Sequence, residues 1–221
     1  MVDRKPVDPE HQNWQPDKPE DYCARCGASV GLGGATGAGC AWCLGKNMPW
    51  HRLVRLGLYH PPLDERIRAM KFGRQWAYGP FLGQQLAQQI GQPFDPKRIV
   101  VTSVPMHWLR RWRRGYNQAD LMAGSLAKAR GWPLVQTLTR TRYTPPQTRI
   151  PASGRARNVR NCFALVGIDL AGYEVVLVDD VKTTGSTLSA CARLLRDAGA
   201  QSITVAVAAV ADPQHTRFMF K

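Results

Sequence analysis

The sequence predicts an α/β protein: a parallel sheet with flanking helices, preceded by a small four-cysteine module. Three observations carry this. Helix and strand signals alternate from residue 63 onward, and 221 residues suffice for one such domain plus an appendage. The aliphatic run Val175–Val178 leads into two carboxylates and then a Thr/Gly/Ser turn that opens a helix. Two Cys-x2-Cys pairs stand near the N-terminus, thirteen residues apart.

In chain order, residues 1–20 hold four prolines and many charges and are expected to form a disordered tail. Residues 21–46 are expected to form the cysteine module, and 47–221 the α/β domain. Leu63 to Ile90 reads as two helical segments. The first ends near Gly73, and the second carries Phe81, Leu82, Leu86, Ala87 and Ile90 on one side before Gly91 and Pro93 stop it. Arg98 to Val104 is a strand signal ended by Pro105. Met106 to Gly115 is expected to be a loop, Tyr116 to Arg130 a helix, and Leu134 to Thr139 a short strand. Arg140 to Asn161 has no period and three prolines, and a loop of that length usually covers or binds something. The aliphatic run 175–178 is the next strand, its helix runs to Ala198, Gly199 stops it, and Ser202 to Val210 is the last strand.

Cys23, Cys26, Cys40 and Cys43 present four thiolates at the spacing of a closed tetrahedral Zn²⁺ site. The segment between the two pairs is rich in Gly, Ala and Ser, so a metal would have to hold it. Cys162 and Cys191 are isolated and read as core residues. Trp14, Trp42, Trp50, Trp76 and Trp132 read as core or knuckle packing.

The formal net charge is +14, with no acid between Asp120 and Asp169. Arg110, Arg111, Arg113 and Arg114 interleave with Trp108 and Trp112. Pyrophosphate on a small substrate or a nucleic-acid backbone would each account for such arginines. The apolar run Ile203–Ala211 is too short to span a bilayer, and no apolar stretch follows the N-terminus, so the expected location is the cytoplasm.

Asp179 and Asp180 followed by Thr183, Thr184, Gly185, Ser186 and Thr187 combine acceptors with a phosphate cradle. The helix N-terminus and hydroxyls favour an anion. The carboxylates repel phosphate but suit sugar hydroxyls or Mg²⁺. Together they describe a ribose-5-phosphate site. The stretch resembles the phosphoribosyl pyrophosphate motif of type I phosphoribosyltransferases. No P-loop or Gly-x-Gly-x-x-Gly spacing is present.

With this motif, four further segments resemble the ComF/GntX family of phosphoribosyltransferase-like proteins: the cysteine knuckles, Lys71-Phe72-Gly73, Val104-Pro105-Met106-His107 with Arg114-Gly115-Tyr116-Asn117-Gln118, and Thr144–Gln147 with Arg155–Val159. The resemblance covers residues 22–211. It implies a type I phosphoribosyltransferase-like sheet and a pyrophosphate loop at 105–118 with Pro105, His107, Arg114, Gly115, Asn117 and Gln118. It also implies a hood at 140–161 contributing Arg155 and Asn158. Asp179 and Asp180 are then the expected catalytic acids, and Lys182 an added phosphate contact or an exposed side chain. Purine-base members often carry an Asp where Thr183 stands, which leaves the acceptor open. Two functions follow from the resemblance: Mg²⁺-dependent transfer from phosphoribosyl pyrophosphate, or a non-catalytic protein of the competence system that binds phosphoribosyl pyrophosphate and single-stranded DNA. Tryptophan and arginine interleaving at 108–114 suits base stacking with phosphate contact.

Overall fold

The computed structural model describes residues 14–31, 33–93, 95–142 and 161–211. In the cysteine module β1 (Ala35–Thr36) pairs antiparallel with β2 (Gly39–Cys40), and four parallel strands form the central sheet in the order β3 (Arg52–Leu58), β8 (Ser202–Val210), β7 (Glu174–Lys182), β4 (Ile99–Ser103). Strand alternation sends Val176 and Val178 of β7 to one face and Val175 and Leu177 to the other. On the first face they join a core with α1 (Leu63–Phe72), α2 (Tyr78–Gln89) and α4 (Gln118–Arg130). On the second they pack with Leu188, Cys191, Ala192 and Leu195 of α5 (Ser186–Asp197). Both faces are covered, which is why these strands are near-continuous apolar runs.

Helices α2 and α4 cross closely. A Cβ built on Gly83 would lie 2.3 Å from the Met122 carbonyl oxygen, so only glycine permits this approach. Asn117 caps α4, its Oδ1 accepting from Ala119 N–H at 3.3 Å, and Gly131 ends the helix in a left-handed conformation.

Several expectations are corrected. The segment 106–115 is not a loop throughout: Trp108–Arg114 form α3, capped by His107 and closed by Gly115 at φ 87°. The segment 134–139 is not a continuous strand. Leu134 makes an isolated bridge to Val101, and β5 (Leu138–Arg140) pairs antiparallel with β6 (Phe163–Leu165), joining the two ends of the long loop. The loop's middle, with Arg155 and Asn158, lies outside the described residues. Strand β3 carries Arg55 at its centre, buried against Asp17 at 2.7 Å and Gly27 O at 2.7 Å. Residues 14–20 do not belong to a disordered tail. Trp14 stacks on Arg66, and Asp17 N–H donates to Leu56 O. Residues 1–13 lie outside the described residues. Trp50 and Trp132 are buried as expected, whereas Trp42 and Trp76 are exposed. Cys162 and Cys191 are buried in the core.

Candidate functional site

Strand β7 is longer than its aliphatic run suggests. It continues through both carboxylates to Lys182, with Asp179 opposite Val207 and Lys182 opposite Val210. Its other neighbour, β4, stops at Ser103 opposite Val178, and Val104 N–H makes the last bond to Val178 O at 2.9 Å. Asp179 and Asp180 therefore border a crevice beyond the carboxyl end of β4. Ligands of open parallel sheets bind in such crevices. The same alternation that sorts the core turns the two carboxylates toward opposite faces. Asp180 Oδ2 meets Lys71 Nζ of α1 at 3.0 Å and faces the charge of Arg114. Asp179 faces Arg140 of β5 and Cys191 of α5. The acid pair is thus not one two-toothed patch.

Asp179 is the perturbed group. Burial, reinforced by the Asp180 charge, raises its carboxyl to about 7, although its Oδ1 accepts the Asp180 N–H at 2.8 Å and Lys71 and Arg140 oppose the shift. A carboxyl held this way is poised for a cation or for hydroxyl donors.

The turn after β7 places Gly185 at φ 78° as the N-cap of α5, where it brings no capping side chain. Thr184 Oγ1 lies 2.8 Å from Ser186 Oγ and accepts the Ser186 N–H at 3.4 Å. Hydroxyls and amides thus gather at the positive end of a helix dipole, which suits a phosphate. Lys182 lies against the back of this turn, toward the cysteine module: its side chain is half-buried, burial lowers its pKa, and the charges acting on it include Cys26 and Cys43.

Across the crevice stands the α3–α4 corner. Arg114 Nη1 donates to Gln118 Oε1 at 2.7 Å and stacks over Phe72 at 5.5 Å. Burial lowers the Arg114 pKa and the Asp180 charge opposes this. Gln118 Nε2 is buried with no hydrogen-bond partner, an orphaned donor beside that arginine. Asn117 Nδ2 donates to Val104 O at 3.1 Å and to Asp120 Oδ1 at 2.8 Å, so this residue ties the corner to β4. His107 is buried. Its pKa is lowered by burial and then by Arg140 and Arg110, and its Nδ1 accepts from Leu109 N–H to start α3. Pro105 is buried and ends β4, and Gly115 ends α3. Lys71, Arg140 and Asp120 were not singled out as site residues from sequence. Lys71 stood in the Lys-Phe-Gly segment and Arg140 in the basic run, but nothing in their spacing showed that they flank the acids.

In the cysteine module, the Sγ separations are 3.7 Å for Cys23–Cys43, 3.6 Å for Cys26–Cys40 and 3.9 Å for Cys40–Cys43. Four sulfurs about 2.3 Å from one ion lie about 3.8 Å apart at the corners of a tetrahedron. The four buried thiols can hold a metal ion. Burial raises Cys26 and Cys43. At Cys23 burial acts in the same direction but is outweighed by the N–H groups of Cys26 and Arg25, which bring it to about 7.

A doubly covered parallel sheet with an acid-bearing strand and a hydroxyl-rich turn at its carboxyl edge defines a phosphoribosyltransferase-type fold. Residues 113–219 match the phosphoribosyl transferase domain family. The chain is 40% identical over 192 residues to DNA utilization protein YhgH of Salmonella typhi, covering 83% of this chain and 81% of that protein. It is 39% identical over 176 residues to the protein of that name from Escherichia coli K12, covering 75% of each. Competence protein F of Haemophilus influenzae is 35% identical over 193 residues, covering 83% of this chain and 82% of that protein. The chain belongs to the ComF competence-protein family of phosphoribosyltransferase-like proteins. Among the described residues, no helix is long and apolar enough to cross a membrane.

Proposed function

We propose that the chain binds 5-phosphoribosyl pyrophosphate with Mg²⁺ in the crevice beyond β4 and transfers the phosphoribosyl group to an acceptor. The observation that carries this is the extension of β7 past β4, which leaves Asp179 and Asp180 between an uncapped-by-side-chain helix N-terminus and the Arg114–Gln118 corner. In this reading Thr183 to Thr187 receive the 5-phosphate and the carboxylates receive the ribose hydroxyls. Arg114 and the orphaned Gln118 amide take the pyrophosphate, on a loop that Pro105, His107, Gly115 and Asn117 shape. Arg155 and Asn158, which lie outside the described residues, are assigned to the substrate on the family resemblance alone. Lys182 serves the turn from behind rather than the substrate. Because the carboxylates face apart, one of them rather than both would hold a Mg²⁺ that arrives with the substrate. Mg²⁺ bound with the pyrophosphate would neutralise charge on the leaving group. Donors fixed around that group do the most for catalysis as its negative charge grows. The four cysteines are assigned to a structural zinc.

Calorimetry with Mg²⁺ and phosphoribosyl pyrophosphate tests the binding. Asp179→Ala with Asp180→Ala should abolish it, and unchanged affinity in the folded double variant contradicts the proposal. Pyrophosphate release with candidate acceptors decides whether the bound substrate turns over.

A second reading adds single-stranded DNA and would account for the DNA-utilization and competence names of the relatives. It is favoured by α3, where Trp108 and Trp112 are 69% and 78% exposed. Four residues apart, they share a helix face about 6 Å apart along the axis, among arginines. In that reading the protein handles incoming single strands alongside the competence machinery.

A further inference from the structure

We infer that Trp50 is a positioning residue for the phosphate turn, bracing Gly185 against the first cysteine knuckle. The inference rests on the phosphoribosyl reading of that turn. Trp50 is buried between the second knuckle and β3. Its indole Nε1–H donates to the Arg25 carbonyl at 2.8 Å, and Arg25 lies between Cys23 and Cys26. The opposite end of the ring meets the turn: a Cβ built on Gly185 would lie 3.5 Å from Trp50 Cη2 and 3.4 Å from Lys182 Cε. Gly185 is thus walled on two sides, by the indole and by the lysine chain.

The anchor at the other end is itself fixed. The Arg25 guanidinium donates to Lys46 O at 3.0 Å and to Ala38 O, joining the two knuckles. The first knuckle is hydrogen-bonded to the sheet edge, Leu53 N–H to Ala24 O at 2.7 Å and Arg55 to Gly27 O at 2.7 Å. A stiff path runs from the cysteines through the Arg25 carbonyl and a flat ring to the residue whose left-handed backbone begins α5. Glycine does not hold that conformation by its own sterics, so neighbours must restrict it. Trp50 supplies the restriction with one polar anchor and one apolar edge. The cysteine module then acts on the phosphate turn as well as covering the sheet edge, and metal occupancy at the thiolates tunes how well the turn receives a phosphate.

The test compares wild type with Trp50→Phe, which keeps an aromatic ring but removes the N–H and shortens the reach. Amide hydrogen exchange over residues 183–190 is read without ligand, beside metal content, the unfolding midpoint and the affinity for ribose 5-phosphate. The expected result is a folded variant with its metal retained. Exchange over 183–190 should be about tenfold faster and affinity about tenfold weaker, the scale of one hydrogen bond. Exchange in β4 and β8 should be unchanged. Chelation of the wild-type metal should accelerate the same segment, which serves as the second measurement where Trp50→Phe does not fold. Wild-type exchange at 183–190 in either sample overturns the inference, because a core filler would alter only the unfolding midpoint. The exchange readout needs no ligand. A wild type that ignores ribose 5-phosphate therefore refutes the phosphoribosyl reading, while the exchange data still decide the bracing role.

Discussion

Replacing Asp179 with asparagine should stabilise this protein at alkaline pH while disabling its site. In the native state the Asp179 carboxyl is raised from 3.8 to about 7, first by burial and second by the Asp180 charge. Between those values the folded chain keeps a proton that the unfolded chain has released. Native stability therefore falls as pH rises from about 4 to about 7 and is flat above, where both states are ionised. The interval corresponds to an upper limit of roughly 4 kcal/mol, and partial solvent contact reduces it, so about 1–3 kcal/mol is expected. Asparagine is nearly isosteric and keeps an Oδ1 to accept the Asp180 N–H, which is 2.8 Å away in the wild type. Urea unfolding in Mg²⁺-free buffer from pH 5 to pH 9 measures the effect. The advantage of Asp179→Asn over wild type should be smallest at pH 5 and widen by about 1–2 kcal/mol on going to pH 8. Parallel curves, or a variant less stable at pH 8, would refute a partly desolvated carboxylate at Asp179. A gain in stability with loss of binding is the trade expected of a functional group in an unfavourable environment.

Other outcomes follow from the same geometry. Cys40→Ser should lower bound metal from about one per chain to near zero, read by atomic absorption, since a closed structural site needs all four sulfurs. Gly185→Ala should cost about 1–2 kcal/mol in denaturant unfolding. The Cβ would find only ordinary contacts at 3.4 and 3.5 Å, so the penalty is that of the φ 78° backbone. Trp108→Ala with Trp112→Ala should leave the unfolding midpoint nearly unchanged, because both rings are exposed, yet weaken oligonucleotide binding measured by anisotropy. That binding should also fall with salt by roughly 0.7 in log K per phosphate contact per decade. No binding at low salt, or binding indifferent to the tryptophans, removes the DNA reading.

The sheet and most helices were legible because their apolar residues recur at the spacing of the element. Strand β3 was not, because Arg55 interrupts its apolar run; only the fold supplies Asp17 and the Gly27 carbonyl that let an arginine be buried there. Helix α3 buries none of its residues. It forms between a His107 cap and a Gly115 stop, and its one i, i+4 pair, Trp108 and Trp112, faces solvent among arginines, so the segment read as a basic loop. The hydroxyl-rich turn after β7 and the four cysteines were visible because their chemistry is local in sequence. The orientation of Asp179 and Asp180 was not, since it depends on β7 continuing as a strand past the point where its residues cease to be apolar. Lys71 and Arg140 reach the acids from α1 and β5, a juxtaposition that only tertiary packing makes.

The proposed phosphoribosyl site lies beyond the carboxyl end of β4. Amide hydrogen exchange with and without phosphoribosyl pyrophosphate and Mg²⁺ tests it most directly. Protection should concentrate at residues 179–190 and at the α3–α4 corner around residues 114–118. Protection confined to other segments, or none at saturating ligand, would contradict it.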